Sequence, residues 1–252
     1  MLHTAGIWCA HRYGASQISP LTHLEAQTLS NSLKVDAESY CYSALICIAD
    51  ACRAIDGGFF SWATAKLYYS CFYSLRSLLA LRGFGVFYVD EKPKIIESVA
   101  GQYFRKPSNS EAKGGTHGLV INLFTNKIPH HLLLSQPISG LEPPRWMKAR
   151  REEVNYGKAK YFEPNVPKWM ESITEQGLRR SLNSYIGDTR FLYPFDPDHA
   201  ALAFPILAIK LLIGEMNTYG RRLSDEDIKF LVKKVTDDTG QIAEWARLVS
   251  QN

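Results

Sequence analysis

The stretch from Phe60 to Arg82 constrains this fold most. Phe60, Ala63, Leu67, Cys71, Leu75, Leu78 and Arg82 recur at helical spacing and form one stripe. Tyr69, Phe72, Tyr73 and Ala80 line much of the remaining surface, and Gly83 stops the pattern. A helix apolar on nearly all sides must lie centrally, packed on several neighbours. The chain can supply them, since 46% of its 252 residues are apolar and 21% charged. That balance argues against disorder and suits one large domain or a domain with a helical appendage.

Helical signals continue on both sides. Asp36 is read as the cap of a helix from Ala37 to Ile55, stopped by Gly57–Gly58. Val86 to Val89 is a short β-like run, Pro93 to Ala100 reads as a short helix, and Lys106 to Gly115 as a mobile polar loop. Thr116 is expected to cap a helix across Leu119 to Phe124. Pro143–Pro144 opens another, reaching Ala159. Val166 to Ile186 reads as one amphipathic helix. Asp196 to Asp198 starts an apolar helix to Tyr219, with kinks at Pro205 and Gly214. Ser224 caps the last helical section, which reaches about Val249.

Several functions lack a sequence basis. There is no G-x-x-x-x-G-K-[ST], H-E-x-x-H or G-x-S-x-G motif. Cys9, Cys41, Cys47, Cys52 and Cys71 form no C-x-x-C pair, so buried thiols in a reducing cytosol are expected, with no metal and no cofactor. Ala200 to Ile213, the longest apolar candidate, holds Pro205 and Lys210 and is too short to span a membrane. Met1 to Tyr13 lacks the features of a signal peptide. A cytoplasmic protein without a membrane segment is the expectation. The net charge of +4 is too weak for a polycation, yet allows a local basic patch.

Three segments together carry a resemblance. The first is the aromatic helix from Ala65 through Tyr68, Tyr69, Phe72 and Arg76 to Gly83. The second is Lys113-Gly-Gly-Thr-His117-Gly-Leu, and the third is Arg150-Arg-Glu-Glu-Val-Asn155-Tyr156. In this order they resemble the HEPN superfamily, over residues 36–161. The resemblance implies an all-α fold: a HEPN-like up-and-down helical bundle with additional C-terminal helices. It divides the chain into an N-terminal segment at 1–35, the bundle at 36–161, and a C-terminal extension at 162–252 packed on it. It further implies a homodimer or a partner protein from the same gene neighbourhood, RNA or a nucleotide as ligand, and a place in toxin–antitoxin or anti-phage defence.

Active members of that superfamily are metal-independent ribonucleases with an arginine and a histidine separated by four to six intervening residues. The histidine moves a proton while the arginine holds phosphate. Arg150 matches the arginine. Asn155 stands where the histidine belongs, with Tyr156 after it, and asparagine cannot carry a proton at neutral pH. His117 is the remaining histidine at a motif position. Arg145, Lys148, Arg151 and Lys158, with Lys160, add a positive stripe for phosphate contact. The same residues can instead form an ion-paired, solvated helix face. His117 can simply bond the central helix, and the tyrosines of that helix can be core rather than a base-stacking surface. His130 and His131 read as solvent-exposed, without acidic partners, and His199 as a packing or capping residue. A non-catalytic scaffold is therefore the competing reading.

Overall fold

The computed structural model describes residues 4–6, 19–89, 92–157, 159–237 and 239–251. Helix α1, His23–Asp56, is 34 residues long. The three residues Gly57 to Phe59 turn the chain back into α2, Phe60–Leu81, which packs along α1 as an antiparallel hairpin. As the all-round apolar pattern requires, α2 is the centre. It buries 17 of its 22 residues. Around it stand α1, α4 (Gly115–Lys127), α5 (Pro143–Tyr156) and α8 (Ala200–Thr218). Serines and alanines on α2 let neighbours approach closely. Ser77 shows how such a hydroxyl is satisfied, donating to the Ala37 carbonyl at 2.7 Å.

The all-α character holds, with two small antiparallel hairpins added. Strands β1 (Phe84–Val89) and β2 (Lys92–Glu97) pair so that Phe84 faces Glu97 and Val86 faces Ile95. The helix expected over Pro93 to Ala100 is therefore wrong. Ile95 and Ile96 are β-branched and buried, and Ile95 exchanges backbone hydrogen bonds with Arg105 as well as pairing with β1. The second hairpin joins β3 (Thr236–Asp237) to β4 (Gly240–Gln241). It separates α9 (Asp225–Val232) from α10 (Ala243–Ser250), where one continuous section was expected.

Other boundaries also move. Asp36 does not cap α1. The helix starts 14 residues earlier at a Thr22–Glu25 capping box, in which each side chain bonds the other's backbone. A division at residue 36 would cut this helix. Asp36 is buried at 3% exposure, and its carboxylate accepts the backbone N–H groups of Thr4 at 2.7 Å and Ala5 at 3.1 Å. Within the stretch Lys106 to Gly115, a short helix α3 (Asn109–Ala112) has its own capping box. There Arg105 grips Glu111 with two 2.7 Å bonds and pushes its carboxyl down to about 2. The amphipathic segment after Val166 breaks into a 3-10 turn (Lys168–Met170), α6 (Glu171–Gln176) and α7 (Leu178–Gly187), divided at Gly177.

Helix α8 runs unbroken through Pro205 and Gly214. Contrary to the reading of Ala200 to Ile213, it is long and apolar enough to cross a membrane, but 72% of its most apolar stretch is buried inside the protein. Lys210, the charge within that run, donates to the carbonyls of Ile186 and Asp188 and so closes the end of α7. A single apolar core includes residues of α1, α2, α4, α5, α8 and α10. Cys41, Cys47, Cys52 and Cys71 are buried free thiols within it. Burial pushes the Cys47 thiol up to about 11 and Cys52 up to about 12, far from reactive. Cys9 and the residues read for a signal peptide lie outside the described residues, apart from residues 4–6.

Candidate functional site

The turn before α4 is built on glycine. Gly114 takes a left-handed conformation (φ 88°) and stands as N-cap, so α4 begins at Gly115 with Thr116 already inside it rather than capping it. Gly118 lies under the Lys113 carbonyl, where a Cβ atom would collide with that backbone oxygen. The close approach fixes the direction in which His117 leaves the helix. Tyr88 of the first hairpin reaches the same corner through a hydroxyl contact with Thr116.

His117 packs onto the middle of α2. Its Nδ1 lies 2.7 Å from the Tyr68 hydroxyl, and its ring centre is 4.6 Å from that of Phe72, 5.5 Å from Tyr68 and 5.7 Å from Tyr69. From α5, Arg151 closes the other side. Its guanidinium sits 5.9 Å from the centres of Tyr68 and Tyr69 and 5.3 Å from that of Tyr156. It also donates to the Tyr69 hydroxyl at 3.5 Å. Tyr68 and Phe72 are core, whereas Tyr69 is half-buried and Tyr156 is 73% exposed. The aromatic ladder is thus divided between packing and surface.

The environment favours a neutral imidazole. Burial, then the charges of Arg151 and Lys148, hold the His117 pKa below its ordinary value of 6.5. Burial also raises the Tyr68 phenol, which stays protonated. With the imidazole proton on Nε2, the Tyr68 hydroxyl donates to Nδ1. Below about pH 6.5 the unfolded chain takes up a proton more readily than the folded one, so the stability tied to neutral His117 is lost as the pH is lowered. In NMR titration, His117 is expected to show a midpoint below 6.5. Arg151→Ala removes one of the depressing charges, so it should move that midpoint upward while burial still holds it below 6.5. An unchanged midpoint would mean that Arg151 does not act on His117.

The motif arginine turns elsewhere. Successive residues of a helix point about 100° apart, and Arg150 faces the C-terminal section. Its guanidinium lies 5.0 Å from the Trp169 ring centre and 5.6 Å from Trp146, and it pairs with Glu153 at 3.2 Å. Arg150, Trp146 and Trp169 line a cavity of about 190 Å³ together with Ser139, Lys168, Pro197 and Asp198. Asn155 is exposed. Arg145 pairs with Glu142 and donates to Asn122 Oδ1, and Lys148 pairs with Glu152. Lys158 lies outside the described residues. The structure therefore brings together His117, Arg151 and Tyr156, with Lys148 nearby, and keeps Arg150 away. Tyr68 and Tyr69 complete the site. Their place on the central helix was legible, but not their contact with Arg151.

Among the other described histidines, His131 and His199 have structural contacts. His130 is exposed as expected, but His131 is not. It caps the 3-10 turn Leu132–Leu134, packs on Phe124, and reaches Glu215 at 3.3 Å. That glutamate, which also binds Arg82, is the acidic partner not found near it in sequence. His199 bonds the Tyr185 hydroxyl at 2.8 Å. Among the described residues, no three His, Cys, Asp or Glu side chains are placed to hold a metal ion. Comparison with protein-family models, curated proteins and solved structures yields no match.

Proposed function

We propose that this chain is a HEPN-like component of an RNA-targeting, toxin–antitoxin or anti-phage defence system that binds RNA or a nucleotide at the His117–Arg151 face. The carrying observation is Arg151. Of the cations described on α5, Arg145, Lys148 and Arg150 each meet a carboxylate, whereas Arg151 meets none among the described residues. A guanidinium held between tyrosine rings at a surface suits a phosphate, and the exposed Tyr156 ring offers a base a stacking surface. The site binds without cutting in this reading. The superfamily's proton-carrying histidine is replaced by Asn155, which is exposed, and His117 is engaged by Tyr68.

The test is fluorescence anisotropy with labelled single-stranded RNA in low salt without metal, followed by a gel of the same RNA. Wild type is expected to bind and leave the RNA intact. Arg151→Ala should weaken binding about tenfold or more and keep its circular dichroism spectrum. Equal affinity of the two proteins, or no binding by wild type, would overturn the RNA reading. The ion pairing of the other three cations favours the second reading, a non-catalytic scaffold that dimerises or holds a partner protein.

A further inference from the structure

The five residues of α2 that are not buried are Trp62, Lys66, Tyr69, Tyr73 and Arg76. Every one is aromatic or cationic, and they fall on one face at steps of three and four. At 1.5 Å per residue the stripe is about 21 Å long. The His117–Arg151 site meets it at its middle, through Tyr69.

Each end of the stripe is elaborated. At the first, Phe59 and Trp62, 62% and 59% exposed, border an open groove of about 450 Å³ between α1 and α2, together with Asp50, Arg53 and Lys66. Lys66 Nζ lies 5.2 Å from the Trp62 ring centre. At the other, Arg76 lies 4.3 Å from the ring centre of Tyr40. Charge decides between occupants. Arg53 and Lys66 share Asp50, and Lys148 has Glu152, but neither Arg76 nor Arg151 meets a carboxylate among the described residues. Asp36, which shares a small pocket with Arg76, is buried and turned to Thr4 and Ala5. Five cations thus stand against two carboxylates that reach solvent, so a second copy laid face to face would set like charges together. A flexible polyanion with flat bases suits both the charge and the rings.

Resting on the RNA reading above, we infer that this face of α2 is a track for single-stranded RNA, running from the Phe59–Trp62 groove past the His117–Arg151 site to Arg76. At 3.4 Å per stacked nucleotide, 21 Å corresponds to about six nucleotides. A duplex keeps its bases stacked inside and has no faces to offer the rings.

The test compares three RNAs: a single strand of about 12 nucleotides, its duplex, and a trinucleotide. Wild type should bind the long strand at least tenfold more tightly than the duplex. Trp62→Ala and Phe59→Ala alter exposed side chains and should retain wild-type melting. Trp62→Ala should weaken the long strand roughly tenfold and leave the trinucleotide unchanged. Long-strand binding that depends on Arg151 but not on Trp62 or Phe59 would overturn the track and leave the RNA reading standing. Absence of binding to any RNA would overturn both. A dimer in sedimentation that Trp62→Ala dissociates, with RNA affinity unchanged, would assign the face to a second copy and overturn the track.

Discussion

Phe204→Ala is expected to destabilise the protein by about 3–5 kcal/mol, the usual cost of removing a fully buried phenylalanine. Phe204 is 0% exposed in α8 and meets Phe195 edge to face at 6.3 Å. For a chain of this size the loss lowers the melting temperature on the order of 10 °C. The form of the transition is as informative as its midpoint. Helix α8 packs on both α1 and α2, so the C-terminal helices share their core with the central hairpin. Urea unfolding followed by tryptophan fluorescence and by far-UV circular dichroism should give one coincident transition in wild type, and one in the variant at lower urea. Two separate transitions, with only one shifted, would show that the C-terminal helices fold independently.

Gly118→Ala adds a single methyl group and is expected to cost about 3 kcal/mol. The backbone of Gly118 is helical, so the penalty comes from the Lys113 carbonyl that occupies the space a Cβ requires. Relief means moving either the Gly114 turn or the first turn of α4, and His117 sits on that turn. The variant should therefore lose RNA affinity along with stability. The readouts are a thermal melt and the RNA titration used for Arg151→Ala. A variant with lowered stability but full RNA affinity would place the binding surface away from α4.

The elements visible in the sequence were those whose environment is set by their own pattern. Helix α2 is legible because burial on all sides leaves a mark at nearly every position. The start of α1 is not. Asp36 has the right chemistry for a helix cap, but it spends that chemistry on the N–H groups of Thr4 and Ala5, more than 30 residues back. Pro93 reads as the opening of a helix until β1 supplies a partner strand. His131 reads as solvent-exposed because Glu215 lies 84 residues away.

The site divides in the same way. His117 and α5 can be found from the motif segments alone. Arg150 and Arg151 both flank the buried Trp146, Met147 and Val154, and nothing local distinguishes them. Their separation depends on what docks to each side of α5: the tyrosines of α2 against Arg151, and Trp169 against Arg150. A motif matched by sequence position selects the arginine facing the C-terminal section. The fold turns its neighbour toward histidine.

The carboxylate of Asp36 also makes the beginning of the described chain part of the bundle's electrostatics. An acid at 3% exposure is tolerated because two backbone N–H groups face it. The attachment is mutual: the acid is solvated from within by the segment, and the segment is tied to α1 through the acid. Asp36 and Arg76 line the same small, partly open pocket, so undocking residues 4–6 would leave Arg76 as the nearby cation for an acid stripped of its donors. Freeing that short segment would then reach Arg76 of α2 through Asp36 of α1.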